Sequence, residues 1–423
     1  MSGPYSRRSF LRAAALGGSL GLTGCAGRLA DARRLLPRRG PGTPTGPGAA
    51  DRAPADTEAF TAFRGGLKRQ GYYPEATVPA DVRTAWRIPE VNVGDHTAAK
   101  ASVVRDPEGN YLVPGDAGEV RSVAVDGAVN WVADTESSTR GIHGTPTVAN
   151  GLVYVGAYDG ALYAFDVATG ERVWRTRLGG SIGSSPAYHD GVVYIAVEHP
   201  TPDGSMAGCD ALTGEAVWTD DTPTDHPHSI LAIDRGAGRL VVGSNDGNLY
   251  GWSYPALEHV WTFETGGDIK GPIATYDGSA FFGSWDHSVY RVGLESGAEE
   301  WAVETDDMVM GGASIDTDSR TVYIGGHDGR LRALDVDTGE EQWSFATGGY
   351  VVGCPTVTRE HVLVGSYDTN CYALRKASGE RVWDVSADGW VSSTPHVDDD
   401  GIVFTSRATE ETSGKAIRLV SAV

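Results

Sequence analysis

Short apolar runs separated by turn residues alternate along most of this chain. In one unit, residues 152–155 precede an Asp-Gly pair, residues 161–165 precede a Thr-Gly pair, and a third run ends at Trp174. Asp-Gly between β-rich runs predicts a hairpin, because both turn residues can adopt positive φ. A fourth run precedes each unit, as at residues 185–188 before the next one. The pattern predicts four antiparallel strands per unit.

The inner runs of each unit are apolar without strict alternation. Residues 152–155 read Leu-Val-Tyr-Val, for example. A strand with one solvated face alternates apolar and polar residues, so a continuous apolar run predicts burial on both faces. We therefore expect each four-stranded sheet to be sandwiched between two others.

Eight tryptophans mark equivalent places in successive units. Their spacings are 45, 43, 44, 43, 40, 42 and 40 residues, a period typical of a solenoid or a propeller. Each indole ends an outermost strand, where it can wedge against the next sheet and bury about 200 Å². We interpret all eight as structural: Trp86, Trp131, Trp174, Trp218, Trp261, Trp301, Trp343 and Trp383.

The two ends of the chain predict ring closure. Only 40 residues follow Trp383, and they hold three strand-like runs without a closing Trp. The missing strand is present near the other end, at residues 82–87. Pairing the two removes the free edges. The sequence therefore predicts an all-β fold over residues 79–423: an eight-bladed β-propeller of four-stranded antiparallel blades, closed by pairing of the N-terminal strand with the C-terminal blade.

The repeated motif, G-x-V-Y-V-G-x-x-D-G-x-L-Y-A-L-D-x-x-T-G-E-x-x-W, resembles the pyrroloquinoline-quinone (PQQ) repeat family. The resemblance covers about residues 80–423 and is strong at 151–174 and 320–343. It departs in the third unit, where residues 199–203 replace the Asp-Gly turn. Upstream, residues 57–78, here called the lead-in, resemble the segment that precedes the first strand in BamB-like members of this family.

The resemblance implies one of two functions. Quinoprotein dehydrogenases of this type hold PQQ and calcium on the ring axis, whereas BamB-like scaffolds bind no cofactor. The chain lacks the adjacent cysteines, the CxxCH haem motif and the long insertions between blades that are common in the dehydrogenases. We expect a non-enzymatic binding or scaffold protein without a cofactor. The alternative is a quinoprotein with PQQ, calcium and a reduced site.

Loops that enter the innermost strands are expected to rim a central funnel. They supply His96, His143, His226, His228, Lys270, Met310, Val352 and Trp390. Converging histidines can bind a transition metal, and Lys270 beside them can hold an anion. The competing interpretation is that each of these side chains is solvated separately and lies at a different depth along the ring axis. We assign no metal, and we keep His143, His226, His228, Lys270 and Trp390 as candidate ligand-binding residues.

The N-terminus reads as an export and anchoring signal. Arg7 and Arg8, followed by Phe-Leu, resemble a twin-arginine signal, and an uncharged run of eleven residues follows. Leu-Thr-Gly-Cys then resembles a lipobox, so we expect residues 1–24 to be removed and Cys25 to be lipidated. Residues 25–56 have the composition of a flexible linker. These features predict a lipid anchor on the extracellular face of the cell membrane.

The composition limits the classes of molecule that the protein is expected to bind. The net charge is −21, and an acidic surface repels nucleic acid. Only 5 of the 35 basic residues are Lys, a balance that resembles proteins of salt-loving archaea, although an ordinary acidic secreted protein is the alternative. We expect a monomer that binds a protein or an extracellular ligand. The sequence does not identify that partner.

Overall fold

The structure, a computed structural model, describes residues 56–93, 101–137 and 140–423. In that part of the chain 33 strands form eight sheets, and a 3₁₀ turn at Phe63–Gly65 is the one helical element. No helix there is long and apolar enough to cross a bilayer. The predictions for Arg7, Arg8, Cys25 and His96 lie outside the described residues.

Two strands precede the first complete blade, and four blades follow in chain order. The strands are β1 (Tyr72–Tyr73) and β2 (Val82–Asn92); then β3 (Val104–Arg105), β4 (Tyr111–Pro114), β5 (Glu119–Val123) and β6 (Val129–Asp134) in blade 1; β7 (Thr147–Ala149), β8 (Leu152–Gly156), β9 (Ala161–Asp166) and β10 (Arg172–Arg177) in blade 2; β11 (Ala187–His189), β12 (Val192–Glu198), β13 (Gly204–Asp210) and β14 (Ala216–Asp220) in blade 3; β15 (Ala232–Asp234), β16 (Arg239–Gly243), β17 (Asn248–Ser253) and β18 (His259–Glu264) in blade 4.

Three further blades are complete in sequence, and the eighth is composite. The strands are β19 (Ala274–Tyr276), β20 (Ser279–Gly283), β21 (Ser288–Gly293) and β22 (Glu299–Glu304) in blade 5; β23 (Ser314–Asp316), β24 (Thr321–Gly325), β25 (Arg330–Asp335) and β26 (Glu341–Ala346) in blade 6; β27 (Thr356–Thr358), β28 (His361–Gly365), β29 (Asn370–Arg375) and β30 (Arg381–Ser386) in blade 7; β31 (His396–Asp398), β32 (Gly401–Thr405) and β33 (Gly414–Ser421) with β2 in blade 8. The predicted eight-bladed propeller is confirmed.

Burial follows the predicted layering within each blade. All five residues of β8 are buried, whereas the outermost strand β10 has only exposed and half-buried residues. The apolar inner strands pack between neighbouring blades, so the core is a ring of inter-blade layers and not one central mass. For example, Tyr154 and Leu162 of blade 2 pack against Val193 and Ile195 of blade 3.

Strand β2 closes the ring. It pairs antiparallel with β33, with Val82 opposite Ser421 and Arg87 opposite Ile417. The Nε1 atom of Trp383, in blade 7, donates a 2.9 Å hydrogen bond to the Pro79 carbonyl just before β2. The first and last strands of the propeller therefore share one sheet.

The predicted tryptophan wedges are present between blades. Seven of the eight indoles donate Nε1 to a backbone carbonyl of the following blade, as Trp301 does to Val336 O at 2.9 Å. Trp218 instead lies edge-on to Trp252, with ring centroids 6.4 Å apart. Blade 4 has residues 254–257 at the place where Trp131, Trp174 and Trp301 cover a Thr-Gly turn of their following blades.

The lead-in crosses one end of the ring axis. Its backbone carbonyls accept hydrogen bonds from the innermost strands of blades 2 to 7, or from the residue that follows, at 2.8–2.9 Å. The bonds join Val148 N to Thr61 O, Asp190 N to Thr57 O, Ile233 N to Leu67 O, Thr275 N to Lys68 O, Ile315 N to Gln70 O and Val357 N to Gly71 O. Tyr72–Tyr73 then pairs parallel with β27. One short segment is therefore hydrogen-bonded to the innermost strands of six blades, which we call their hubs.

Candidate functional site

The loops before the innermost strands converge on a funnel at the ring axis. The funnel has a volume of about 20 Å³, room for about one water molecule. Of the residues that the sequence placed there, His143, His228, Lys270, Met310 and Val352 line it. The lead-in closes its inner end with Phe63, a contribution that the sequence did not predict.

Two candidate residues lie off the funnel lining. The Nε2 atom of His226 is 2.9 Å from the carbonyl oxygen of His199, in the inserted loop of blade 3. Trp390 stacks on Tyr367, with ring centroids 5.4 Å apart. Both residues stand on the predicted loops, but their side chains point to neighbours on the rim.

A buried carboxylate holds His228 in place. Glu198 Oε1 lies 2.7 Å from His228 Nδ1, and Ser181 Oγ donates to Glu198 Oε2 at 2.9 Å. Burial acts to raise the pKa of Glu198, but the hydrogen bond and charge of His228 outweigh it and hold that pKa at about 2. Glu198 ends β12, which the insertion at 199–203 lengthens. The insertion was the sequence signal for this pair, although Glu198 itself was missed.

The other polar groups of the funnel are also engaged. Lys270 Nζ lies 3.0 Å from Asp268 Oδ2 and 3.9 Å from the centre of the Trp285 ring. His143 packs on Tyr158 with ring centroids 4.1 Å apart. Within residues 56–93, 101–137 and 140–423, no three His, Cys, Asp or Glu side chains are close enough together to hold a metal ion. A metal or anion ligand in the funnel stays a prediction.

The funnel does not fit PQQ with calcium. Pockets for ligands of that size have volumes of about 300–1,000 Å³. Calcium requires six to eight oxygen ligands, usually including carboxylates. The funnel is far smaller, and among the described residues its lining includes no Asp or Glu. We therefore derive no redox step through this cofactor.

A row of side chains in ring contact runs along the rim beside the funnel, across blades 6 to 8. We call His327, Tyr350, Tyr367 and Trp390 the aromatic row. Its successive ring centroids are 4.6, 5.9 and 5.4 Å apart. The Arg407 guanidinium lies 5.3 Å from the Tyr367 ring and 5.4 Å from the Trp390 ring. Tyr350 is 47% exposed, so the row offers an aromatic and cationic surface to solvent.

Three cysteines in the described residues are free and buried: Cys209, Cys354 and Cys371. Burial raises the pKa of the Cys209 thiol to about 12 and raises that of Cys371 as well. These two thiols therefore remain protonated and pack as small apolar groups. Cys354 lines the funnel.

Comparison with known proteins places the repeats in a family. A family model described as outer membrane protein assembly factor BamB matches residues 116–234, 229–349 and 327–418. The 1-butanol dehydrogenase (cytochrome c) of Thauera butanivorans is 29% identical over 164 residues, which is 36% of this chain and 20% of that protein. BamB of Nitrosomonas eutropha is 26% identical over 172 residues, covering 40% of this chain and 39% of that protein. The chain thus spans well under half the length of these relatives.

Solved structures agree on the fold. The quinohemoprotein alcohol dehydrogenase of Comamonas testosteroni superposes with a TM-score of 0.72 at 15% identity, covering 88% of this chain and 81% of its own. BamB of Moraxella catarrhalis superposes with a TM-score of 0.61 at 17% identity, covering 80% and 100%. At such low identity these similarities show the propeller architecture alone. Together with the family match over most of the ring, they show that the chain belongs to the PQQ-repeat family of the outer membrane protein assembly factor BamB.

Proposed function

We propose that this propeller is a non-enzymatic binding or scaffold protein, anchored outside the cell by a lipid on Cys25. The observation that carries the proposal is the small volume of the funnel. Phe63 of the lead-in is only 3% exposed and closes the inner end of a funnel that holds about 20 Å³. Among the described residues this funnel has too little room for a cofactor, which favours binding on the faces of the propeller.

The relatives include both functional classes, so the choice rests on the site. Proteins named quinohemoprotein alcohol dehydrogenase and a protein named BamB both match this chain. The funnel residues are committed to local contacts, with Lys270 paired to Asp268 and His228 to Glu198. This arrangement favours the scaffold class.

The aromatic row is the surface that we propose for a protein partner. Tyr, Trp and Arg are the residue types most enriched where protein interfaces derive their affinity. Here ring contacts and a cation–π contact join Tyr350, Tyr367, Trp390 and Arg407, so little side-chain freedom would be lost on binding. An arginine at the edge of the row would select partners that present carboxylates.

The anchor follows from the N-terminal signals. The order of Arg7, Arg8, an apolar run and Cys25 supports export followed by lipidation. If the segment of some 30 residues behaves as its composition suggests, its root-mean-square reach is roughly 30 Å. On this proposal the propeller samples partners near the outer surface of the membrane.

The first experiment separates a scaffold from a quinoprotein. The purified full chain is mixed with PQQ and calcium, and its absorbance and dye-linked alcohol oxidation are recorded. We expect no stoichiometric uptake and no turnover. Stoichiometric binding accompanied by alcohol oxidation would overturn the proposal.

The second experiment tests the surface. Proteins are captured from native membranes at high salt with the wild-type chain and with the Tyr350→Ala and Arg407→Ala variants. Val217→Ala, which changes a 45% exposed side chain on the outer strand β14, is the matched control. We expect a defined partner to be lost from both aromatic-row variants and kept by the control. Equal capture by all four proteins would exclude the aromatic row.

A further inference from the structure

One of the three buried cysteines stands where other blades carry a hydroxyl. Blade 7 has Cys354 immediately before the proline that precedes its innermost strand, where blades 2 and 3 have Thr145 and Ser185. The hydroxyl oxygens of Thr145 and Ser185 each accept a hydrogen bond from the backbone of the preceding blade, at 2.9 and 2.8 Å. A thiol is a much weaker acceptor, so this bonding does not explain a cysteine in blade 7.

The guanidinium of Arg64, in the lead-in, lies beside this thiol. Cys354 Sγ and Arg64 Nη1 are 2.9 and 3.0 Å from the point that a Cβ on Gly312 would occupy, so the two atoms are at most 5.9 Å apart. Arg64 Nη2 donates to the Ala313 carbonyl and to Ser314 Oγ, whereas Nε and Nη1 are buried without a hydrogen-bond partner. The unbonded edge of this guanidinium, at Nη1, is therefore close to the sulfur atom.

Arg64 carries an unbalanced positive charge at this place. It is only 3% exposed, and the described residues give it no carboxylate partner. Lys270 and His228, which line the funnel, are each paired with a carboxylate instead. Burial lowers the pKa of Arg64, and the neighbouring Cys354 acts against that shift. An opposite charge within about 6 Å favours the ionised form of a thiol, and the thiolate is the nucleophilic form.

The funnel gives Cys354 a route to very small molecules. Cys354 is 3% exposed and lines the funnel, whose volume is about 20 Å³. This is room for about one water molecule, so hydrogen peroxide can enter, whereas an ordinary thiol or disulfide reagent is too large. Cys209 and Cys371 are fully buried, and burial raises the pKa of both thiols. The chain therefore contains two internal controls for the reactivity of Cys354.

We propose that Cys354 is a peroxide-reactive thiol, which hydrogen peroxide entering through the funnel oxidises to a sulfenic acid. The Sγ–O bond forms as the O–O bond breaks, so the sulfur atom loses two electrons and the peroxide gains them. One peroxide oxygen stays on sulfur as a hydroxyl, and the other leaves as water with the thiol proton. Arg64 is a positioning residue, because its charge stabilises the thiolate. This site does not depend on the aromatic row or on a protein partner.

The test is oxidation of the folded full chain with hydrogen peroxide. The peroxide is removed with catalase, the chain is unfolded in the presence of dimedone, which traps sulfenic acids, and peptide mapping assigns the label to individual cysteines. We expect Cys354 to be labelled while Cys209 and Cys371 stay unlabelled. Absence of label on Cys354, or labelling of Cys209 or Cys371 at the same rate, would overturn the proposal.

The size of the reagent separates entry through the funnel from opening of the structure. The folded chain is treated in parallel with 5,5′-dithiobis(2-nitrobenzoate), whose aromatic rings do not fit a space of about 20 Å³. We expect this reagent to leave Cys354 unmodified in the folded protein and to modify it fully in urea. Comparable rates with the two reagents would show that the thiol reacts only after the structure opens, which would contradict the proposed site.

Substitutions isolate the charge of Arg64. Arg64→Met removes the charge and is expected to slow the oxidation of Cys354 about ten-fold. Arg64→Lys restores a charge and should recover most of the rate, and Cys371→Ser, which changes a thiol of the same blade, should leave it unchanged. Near-ultraviolet circular dichroism checks that each variant is folded.

An unchanged rate in folded Arg64→Met would contradict the role of the guanidinium. If neither Arg64 variant folds, the labelling of the three cysteines in the wild-type chain and its dependence on reagent size still decide whether Cys354 is the reactive thiol.

Discussion

The contact between each tryptophan and the next blade predicts a large difference between two glycine substitutions. Gly379 has a φ of +70°, and a Cβ placed there would lie 2.5 Å from Cε3 of Trp343. Gly278 has a φ of +76°, and a Cβ there would meet nothing within 4 Å. Both positions carry the same backbone strain on mutation to Ala, so the difference between them isolates the indole contact.

The magnitudes follow from the two geometries. Alanine in the left-handed region costs about 1–2 kcal/mol, so we expect Gly278→Ala to destabilise the protein by about that much. Overpacking against a fixed ring adds about 1–3 kcal/mol. Displacing the indole also weakens the 2.9 Å bond from Trp343 Nε1 to Lys376 O, worth about 1 kcal/mol. Gly379→Ala should therefore cost about 3–6 kcal/mol.

The assay is urea unfolding at constant high salt, followed by far-ultraviolet circular dichroism. A double-mutant cycle with Trp343→Leu completes it. Once the indole is removed, Gly379→Ala should cost no more than Gly278→Ala does in the wild-type background. Equal free energies of unfolding for the two single glycine variants would refute the wedge as the source of inter-blade stability.

Three further predictions follow from contacts already described. The pKa of the Glu198 carboxyl is about 2 in the folded protein and higher in the unfolded chain, so the carboxylate contributes up to about 3 kcal/mol of stability above about pH 4.5 and loses that contribution as the pH falls toward 2. Glu198→Gln should therefore flatten the dependence of stability on pH, which urea unfolding from pH 2 to 6 would measure. Trp383→Phe removes the bond to Pro79 O and should increase hydrogen exchange in β2 without affecting blades 3 to 5. Arg69 donates hydrogen bonds to the carbonyls of Phe63, Pro186 and Leu231, so Arg69→Met removes three bonds between the lead-in and the ring and should make the lead-in sensitive to limited proteolysis. Unchanged cleavage would contradict the idea that Arg69 holds the lead-in in place.

The fold was predictable because its determinants are local and repeated. A Trp every 40–45 residues and a turn pair between apolar runs give blade number, strand order and wedge position without any long-range information. The composite eighth blade also followed, since a ring with seven complete units and a spare strand at one end closes in one simple way. The predicted funnel loops likewise supplied most of its lining.

The details of the site were not predictable for a physical reason. A repeat pattern identifies the loop on which a residue stands, but not the height or direction of its side chain. His228 and Glu198 are separated by 30 residues and meet only because an insertion lengthens one hairpin. The path of the lead-in depends on backbone bonds to six blades, and its sequence carries no periodic signal. Arg64 and Arg69 of this segment are buried, and no pattern in the sequence indicates their burial.

The path of the lead-in has a mechanical consequence. If the chain is tethered upstream of residue 56, tension reaches the propeller through this segment before it reaches the seam between β2 and β33. Backbone bonds to the hubs of blades 2 to 7 divide that load among six sheets, and the β1 pairing with β27 adds a further grip. A force applied through the tether should therefore be distributed over the hydrogen bonds around the ring. The pairing of β2 with β33 would carry force only after those hydrogen bonds had broken.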